Sequence, residues 1–148
     1  MLAHTVARLA RVKSVQKTVL ATGDGPENDP LREFARASGL PCWSGSETDV
    51  LDRFYRAALP YAPTDVVRIT GDTPLVDPAT VDRLVELFRA APPADIASTG
   101  QTMPEGLDAE LVSFKALEAA WQEAALPSER EHVTAFLWKR PERFVQKR

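Results

Sequence analysis

The chain has 148 residues, of which 44% are hydrophobic and 26% charged, a length and composition that predict one globular domain with its own core. The formal net charge of −3 excludes the broad basic face that binding to nucleic acid requires. No apolar run reaches the roughly 18 residues of a membrane span, no signal-peptide pattern is present, and the only cysteine cannot form a disulfide within the chain, so we expect a cytoplasmic protein without membrane contact.

Strands and helices are predicted to alternate. Apolar runs predict strands at residues 17–22, 41–44, 65–70, 94–98, 106–112 and 143–145. Apolar residues at helical spacing predict helices at residues 2–13, 29–39, 46–58, 77–88, 113–124 and 128–139. This alternation indicates the α/β class, with a largely parallel sheet covered on both faces, in one domain over residues 1–148. Cys42 lies in the second strand and is expected to be buried, as free cysteines usually are.

Small and polar residues mark the predicted helix boundaries. Gly39 is expected to end the second helix. Two stretches match a capping box, in which a Ser or Thr side chain and an acid three residues later bond to each other's backbone amides. One box begins at Ser46 with Asp49 as the acid, and the other begins at Ser128 with Glu131 as the acid.

The stretch RITGDTPLVDP, residues 68–78, leaves one carboxylate directly after the third predicted strand. Ligands of open α/β sheets bind at the carboxyl ends of the strands, which is where Asp72 is expected to lie. Gly71 beside it allows a close backbone approach or a positive φ. A single carboxylate can hold Mg²⁺ when nucleotide phosphates supply the other ligands, but Gly-Asp is also typical of turns. Residue chemistry leaves both interpretations of Asp72 open.

Three further stretches place polar residues at the same edge of the predicted sheet. The amides of residues 44–49 follow a strand and open a helix, so they either hold an anion or cap the helix. Asp108 and Glu110 share one face of an extended segment, where they either contact sugar hydroxyls or a metal, or face solvent. Arg130 and His132 either hold a carboxylate or phosphate, or form a polar helical turn.

Four segments carry a resemblance: SGSETDVLDRF at residues 44–54, RITGDTPLVD at 68–77, PEGLDAE at 104–110 and PSEREHVT at 127–134. In this order they resemble the spore coat polysaccharide biosynthesis cytidylyltransferase family, which is similar to the acylneuraminate and ketodeoxyoctonate cytidylyltransferases. The resemblance covers nearly the whole chain. It implies the nucleotide-diphospho-sugar transferase fold, an α/β/α sandwich, and a reaction that joins an acidic or amino sugar to CTP and releases pyrophosphate.

The resemblance also implies roles for individual residues. Asp72 is expected to help hold Mg²⁺ on the triphosphate, and Arg68, Thr70 and Gly71 are expected to border the nucleotide. The residues implied on the sugar side are Ser44, Glu47, Asp49, Asp108, Glu110, Arg130 and His132. The attacking group is expected to be the sugar's own hydroxyl or carboxylate. No side chain is an evident general base, and only His132 is a candidate for a catalytic role.

Both ends of the chain depart from the family pattern. Family members begin with a strand and a basic loop of the Gly-Ser-x-Arg-Leu-Pro-x-Lys type around the CTP phosphates, whereas residues 1–4 match the helix after that loop. They also continue past the position of Arg148 toward a Val-Asp-Thr-Pro-Glu-Asp stretch with another metal-binding Asp. We therefore expect an incomplete domain, from a fragment or a start codon placed too late, with unpaired strand edges. Such edges and the resemblance predict a homodimer.

Two other functions stay open at this point. A catalytically silent relative would bind the sugar or the nucleotide without turning it over. A glycosyltransferase that uses a nucleotide-sugar could share a related fold, because one fold hosts many chemistries. It would be expected to carry an Asp-x-Asp metal motif, which is absent near Asp72.

Overall fold

The computed structural model describes residues 1–100, 104 and 107–148. Its α-helices are α1 (Leu2–Leu9), α2 (Asp29–Ser38), α3 (Val50–Ala58), α4 (Pro78–Arg89), α5 (Phe114–Glu123), α6 (Pro127–Glu131) and α7 (Ala135–Trp138). Its strands are β1 (Leu20–Gly23), β2 (Cys42–Gly45), β3 (Asp65–Arg68), β4 (Ile96–Ser98), β5 (Glu110–Ser113) and β6 (Gln146–Lys147). The start of the strand predicted at 106–112 lies outside the described residues.

The strands form two sheets. β1 and β2 pair in parallel, and the second sheet has the order β3-β5-β4-β6. β5 is antiparallel to both β3 and β4, while β6 is parallel to β4, so every strand of this sheet except β5 runs in one direction. The α/β class with a mostly parallel sheet is confirmed. Only eleven residues separate β4 from β5 in the sequence, too few for a helical crossover, and the two strands pair antiparallel.

Helices cover both faces of the larger sheet. Val112 and Ile96 point into a core shared with α3, α5 and α7. Their chain neighbours Leu111 and Ala97 point to the other side, into a core shared with α4. Successive side chains of a strand alternate between its faces, so this division shows helices packed on each face. The layered α/β/α architecture follows from it.

Several predicted boundaries hold because they depend on local chemistry. Asp77 caps α4 by accepting from the Thr80 amide, and Ser113 caps α5 by accepting from the Ala116 amide. Gly39 ends α2 with a φ of 67°. The capping box at Ser46 is shifted, since the Ser46 hydroxyl accepts from the Asp49 amide but Asp49 itself caps α3.

Two helix predictions are wrong, one in the position of its C-terminus and the other in its continuity. α1 stops at Leu9, because the Lys13 and Ser14 amides donate to Asp82 of α4 instead of continuing the helix. The helix predicted at 128–139 is two helices, α6 and α7, with a break between them. Ser128 makes no cap there, and α6 begins after Leu126 without a side-chain cap.

Two predictions for strands are corrected as well. The last strand is Gln146–Lys147 and not 143–145. Cys42 is exposed and not buried, because β2 lies at the edge of its sheet, where its one strand partner among the described residues is β1. In the part of the chain that the structure covers, no helix has both the length and the apolar character to cross a bilayer.

A gap separates the two sheets. Among the described residues, no backbone hydrogen bond joins β1 to β3. Two cavities of about 300 and 380 Å³ lie beside β1. The first is also lined by Val66 and Val67 of β3, and the second by Ile69 just after β3. We call this space the inter-sheet slot, and it reaches Thr70 and Gly71 just after β3.

Candidate functional site

The sheet register brings polar residues of three strands to one edge. Arg68, the last residue of β3, pairs with Glu110, the first residue of β5. Ser98, the last residue of β4, pairs with the same Glu110. Because β5 runs in the opposite direction, its beginning lies at the carboxyl ends of its neighbours, where ligands of such sheets bind.

Glu110 is the centre of a half-buried cluster. Its carboxylate accepts from Arg68 Nη1 at 2.9 Å, from the Thr134 hydroxyl at 2.9 Å and from the Trp138 indole Nε1 at 3.0 Å. Its side chain is 15% exposed and that of Arg68 25% exposed, so water screens this ion pair only in part. We call these four residues the Glu110 cluster.

The Glu110 cluster gives Arg68 and Glu110 a contact that the sequence did not predict. Arg68 was expected at the nucleotide and Glu110 at the sugar, but the structure joins them as an ion pair. The Nε of Arg68 is buried and has no hydrogen-bond partner among the described residues. Thr134 and Trp138 were not predicted. Their spacing of four along the sequence, which favours one face of a helix, was the available signal.

Asp72 lies in a turn and is exposed, so both interpretations of its sequence hold in part. The turn is closed by the Thr73 hydroxyl and amide, which donate to the Thr70 carbonyl at 2.5 and 3.3 Å. The hydrogen bond from the Thr70 side chain lowers the pKa of Asp72, and a backbone amide and the charge of Arg68 lower it further. Asp72 is therefore an ionised, solvent-facing carboxylate at neutral pH.

The space beside Asp72 is open. Gly71 does not adopt a positive φ, so that part of the expectation is wrong. A Cβ placed on Gly71 would meet no atom within 4 Å, and Gly71 lines the inter-sheet slot at the end that lies just after β3. The absence of a side chain here leaves room next to the carboxylate rather than relieving backbone strain.

A metal ion at this edge would rest on few protein ligands. Within residues 1–100, 104 and 107–148, no group of three or more His, Cys, Asp or Glu is placed to hold a metal. Mg²⁺ commonly takes one or two carboxylates and completes its shell with waters and substrate phosphates. The ionised and exposed Asp72 fits this mode of binding.

Glu47 and Ser44 lie at the end of the smaller sheet. Glu47 accepts from the Asn28 side-chain amide at 3.1 Å, and the oxygen of that amide accepts from the Thr22 hydroxyl at 3.0 Å. A Cβ on Gly23 would collide with the Glu47 carboxylate, so Gly23 lets this side chain lie over the end of β1. Ser44 is exposed on β2.

Arg32 joins the same region and was not predicted as a site residue. It donates to the carbonyls of Gly23 and Gly25 at 2.7 and 2.9 Å, and so fixes the loop after β1. The sequence identified the run Gly23-Asp-Gly only as the end of a strand.

Asp49 and Arg130 form a second ion pair. Arg130 donates to Asp49 through Nε at 3.0 Å and Nη2 at 2.7 Å, and through Nη1 to the Trp121 carbonyl at 2.7 Å. Both were predicted to contact substrate, and the structure shows Arg130 fastening α6 to α3 and α5. We call these three residues the Asp49 cluster.

The other predicted sugar-side residues lie apart from this ion pair. His132 is exposed at the C-terminus of α6, where its carbonyl accepts from the Ala135 amide. Asp108 is half-buried just before β5. The structure thus brings together Arg68 with Glu110 and Asp49 with Arg130. Ser44, Glu47, Asp108 and His132 belong to neither of these two ion pairs.

Comparison with known proteins places the chain in a family. A sequence model described as "Cytidylyltransferase" matches residues 1–147. The uncharacterized protein MJ1063 of Methanocaldococcus jannaschii is 37% identical over 137 residues, which are 93% of this chain and 56% of that protein. Spore coat polysaccharide biosynthesis protein SpsF of Bacillus subtilis is 28% identical over 149 residues, 95% of this chain and 59% of SpsF.

A solved structure agrees with the sequence matches. The cytidylyltransferase from Leptospira borgpetersenii superposes with a TM-score of 0.90 at 29% identity, covering 99% of this chain and 63% of that one. The fold expected from the resemblance is thereby confirmed. The chain spans little more than half the length of the curated relatives it matches.

Proposed function

The chain belongs to the cytidylyltransferase family, and on that premise we propose that it serves to activate a sugar of a surface polysaccharide with CTP. The reaction would join CMP to the sugar and release pyrophosphate. The observation that carries the proposal is the family match over residues 1–147. The open edge around Asp72 supports it, since it provides an ionised carboxylate beside free space.

In the proposed reaction, an oxygen of the sugar attacks the α-phosphorus of CTP while the bond to the pyrophosphate oxygen breaks. Catalysis of such transfers depends mainly on positioning and on neutralising phosphate charge. Mg²⁺, when bound, would supply much of that neutralisation. Asp72 would hold the metal, and the space beside Gly71 would leave room for the nucleotide phosphates.

We assign Arg68 a role in positioning charge at this edge. The Thr134 hydroxyl and the Trp138 indole donate to the Glu110 carboxylate and so fix its position. The fixed carboxylate in turn holds the guanidinium of Arg68. A guanidinium held this way faces a bound phosphate without first losing side-chain freedom, which lowers the entropic cost of binding. Arg68 also lowers the pKa of Asp72, so the two charges act on the same space.

The sugar would lie toward the ends of β1 and β2. Glu47 and Ser44 stand there as acceptors or donors for hydroxyl or amino groups. His132 and Asp108 complete the set that we propose to contact an acidic or amino sugar. Arg130 contributes indirectly, because each of its three guanidinium nitrogens donates to Asp49 or to the Trp121 carbonyl.

A second candidate is a relative that binds its ligands without turnover. The observation that favours it is the engagement of Arg68 and Arg130 in internal ion pairs. A leaving pyrophosphate needs cationic partners, and these two side chains are already neutralised by carboxylates. Binding and turnover must therefore be measured separately.

The test combines calorimetric titration of CTP with Mg²⁺ and an assay of pyrophosphate release with acidic and amino sugars. Asp72→Asn is expected to weaken CTP–Mg²⁺ binding by about 10- to 100-fold, the effect of losing one contact to a charged group. Glu142→Gln, an exposed carboxylate between α7 and β6, is the matched control and should bind as the wild type does.

Each outcome of these measurements bears on a different part of the proposal. Binding without pyrophosphate release would favour the silent relative. Equal affinity of wild type and Asp72→Asn would remove Asp72 from the site, and no CTP binding by the wild-type chain would contradict the proposal for these residues.

A further inference from the structure

The segment that carries Asp72 is buried on its inner side and exposed on its outer side. Residues 69–77, all of which the structure describes, contain no helix or strand. Thr73 is nevertheless only 2% exposed and Val76 only 1%, whereas Gly71 and Asp72 are exposed. A segment without a helical or strand ladder depends on turns and side-chain bonds for its position. The buried residues of this segment therefore determine where Asp72 stands.

Thr73 supplies a buried hydroxyl that closes the turn. This hydroxyl and the Thr73 amide both donate to the Thr70 carbonyl, at 2.5 and 3.3 Å. The Thr70 side chain in turn forms a hydrogen bond with the Asp72 carboxylate. A buried hydroxyl is costly unless it is hydrogen-bonded, and a valine would fill nearly the same volume without that cost. The hydroxyl of Thr73 thus serves the geometry of the turn rather than its packing.

Helix α1 braces the same turn from its buried side. Within Leu2–Leu9, Thr5 is the only buried residue. Its hydroxyl donates to the Thr73 carbonyl at 3.5 Å, and Arg8 Nη1 donates to the Val76 carbonyl at 3.4 Å. The Thr73 carbonyl also accepts from the Val76 amide at 3.2 Å. One helix therefore contacts two backbone carbonyls of the turn across 68 positions of the sequence.

We propose that Thr73, braced by Thr5 of α1, is a positioning residue that holds the Asp72 carboxylate where the Mg²⁺ of a bound nucleotide docks. This inference rests on the proposed function, in which Asp72 holds that ion. A contacting group that is fixed beforehand loses little freedom on binding, so the complex is tighter. Both threonines are buried, so they act on the ligand only through Asp72.

Two substitutions separate positioning from packing. Thr73→Val keeps the branched shape and removes the donor, whereas Thr73→Ser keeps the donor and removes a methyl group. If the side chain only fills space, valine is the better replacement. If the hydroxyl positions Asp72, serine retains the function and valine does not.

The first measurement is calorimetric titration of the 148-residue chain with CTP, in the presence and absence of Mg²⁺. Thr73→Val is expected to weaken binding of CTP with Mg²⁺ by about 10-fold, the effect of losing one hydrogen bond. Binding of CTP alone should be unchanged, because Asp72 reaches the nucleotide only through the metal. Thr73→Ser should bind as the wild type does.

Two further variants serve as controls for this titration. Thr64→Val makes the same substitution at an exposed position before the other end of β3, where the hydroxyl donates only to Asp65 at 3.4 Å. It should leave the effect of Mg²⁺ unchanged. In an Asp72→Asn background, Thr73→Val should cause no additional loss, because a residue that acts through Asp72 has nothing left to position.

The second measurement needs no ligand. Hydrogen exchange at the Thr73 and Val76 amides, which donate within the turn, is compared between the wild type and Thr5→Val. We expect exchange at both amides to become up to about 10-fold faster, because the variant removes one hydrogen bond to the turn. Exchange at the Val112 amide of β5 should not change, and Thr5→Ser should restore the wild-type rates.

Three results would overturn the inference: unchanged Mg²⁺ dependence in Thr73→Val, an equal loss of CTP binding with and without Mg²⁺, or equal acceleration at Val112 and the turn in Thr5→Val. The last two would show that the hydroxyls support the fold as a whole. Absence of CTP binding by the wild-type chain would contradict the proposed function instead. Wild-type binding with the same Mg²⁺ dependence in Thr73→Val would contradict this inference alone.

Discussion

The two sheets show how far burial depends on having neighbours on both sides. The inner residues of β4 and β5 are fully buried, between strands and under helices on each face. Every residue of β3 is only half-buried, and β2 alternates between exposed and half-buried. The sequences of β3 and β5, DVVR and ELVS, are equally apolar at their centres. β3 is less buried than β5 because it lies next to the inter-sheet slot, and not because its residues are less apolar.

The comparison can be tested first by removing the same side chain from each region. Leu117→Ala, in the fully buried core under α5, is expected to lower the free energy of unfolding by about 3–5 kcal/mol because it leaves a cavity. Leu20→Ala, beside the slot, should cost only about 1–1.5 kcal/mol, since Leu20 is half-buried against an existing cavity. Urea unfolding of both variants measures the difference. Equal losses would mean that the slot region is packed as tightly as the core.

A second test concerns the polar edge where β3 does have a partner. Glu110→Ala removes the acceptor of three hydrogen bonds and leaves Arg68 without its carboxylate. We expect a loss of about 1.5–3 kcal/mol, the usual effect at a charged hydrogen bond, limited by the access of water to Arg68. Glu142→Ala, exposed and outside the cluster, should change stability by less than about 0.5 kcal/mol. A loss for Glu110→Ala as small as that of the control would show that the cluster adds nothing to stability.

A third test adds volume instead of removing it. Ala97 of β4 is 0% exposed, and Ala97→Val is expected to destabilise the protein by about 1–3 kcal/mol through overpacking. Ala21→Val, in β1, should be neutral or stabilising, because the added methyl groups enter the slot. Thermal unfolding gives the sign of each effect. Destabilisation of the same size at both positions would contradict an open slot.

The smallest expected effect is a dependence on pH. Hydrogen bonds from the Ser14 hydroxyl and amide hold the pKa of Asp82 below its ordinary 3.8, and this contact fixes the segment that leads from α1 to the slot. A lowered pKa in the folded state contributes stability above the ordinary value and loses it as the pH falls through the folded value. Stability should therefore decline below about pH 4.

Asp52 provides the counterpart in the core region. Burial raises its pKa, but hydrogen bonds from Trp121 and Arg56 and the charges of Arg56 and Arg130 outweigh this, so the net pKa is lowered. Asp82→Asn should reduce the acid-induced loss and speed amide exchange at Ser14, while Asp52→Asn should reduce the loss without affecting Ser14. An unchanged pH profile in Asp82→Asn would show that the contact is not formed in solution.

Local signals in the sequence were sufficient for much of the fold. Asp77 and Ser113 cap the predicted helices, and Gly39 ends α2, because caps depend on a few adjacent residues. The break between α6 and α7 was not predictable in this way. It coincides with long-range contacts, such as the bond from Thr134 to Glu110, which lies 24 residues earlier.

For the candidate site, the sequence identified residues but not their partners. Arg68 and Glu110 were both singled out, yet their ion pair depends on the antiparallel register of β3 and β5, across 42 residues. The exposure of Cys42 likewise follows from the place of β2 at a sheet edge, which no local pattern encodes. Residue type could be read from the chain, whereas pairing required the three-dimensional arrangement.

The break between α6 and α7 makes two distant carboxylates mutually dependent. One short segment, residues 127–138, sends Arg130 to Asp49 and Thr134 to Glu110. Because these donors are only four positions apart, releasing one of them changes the orientation available to the other. Substitutions at Asp49 and Glu110 are therefore expected to be non-additive in a double-mutant cycle, even though Asp49 caps α3 and Glu110 begins β5.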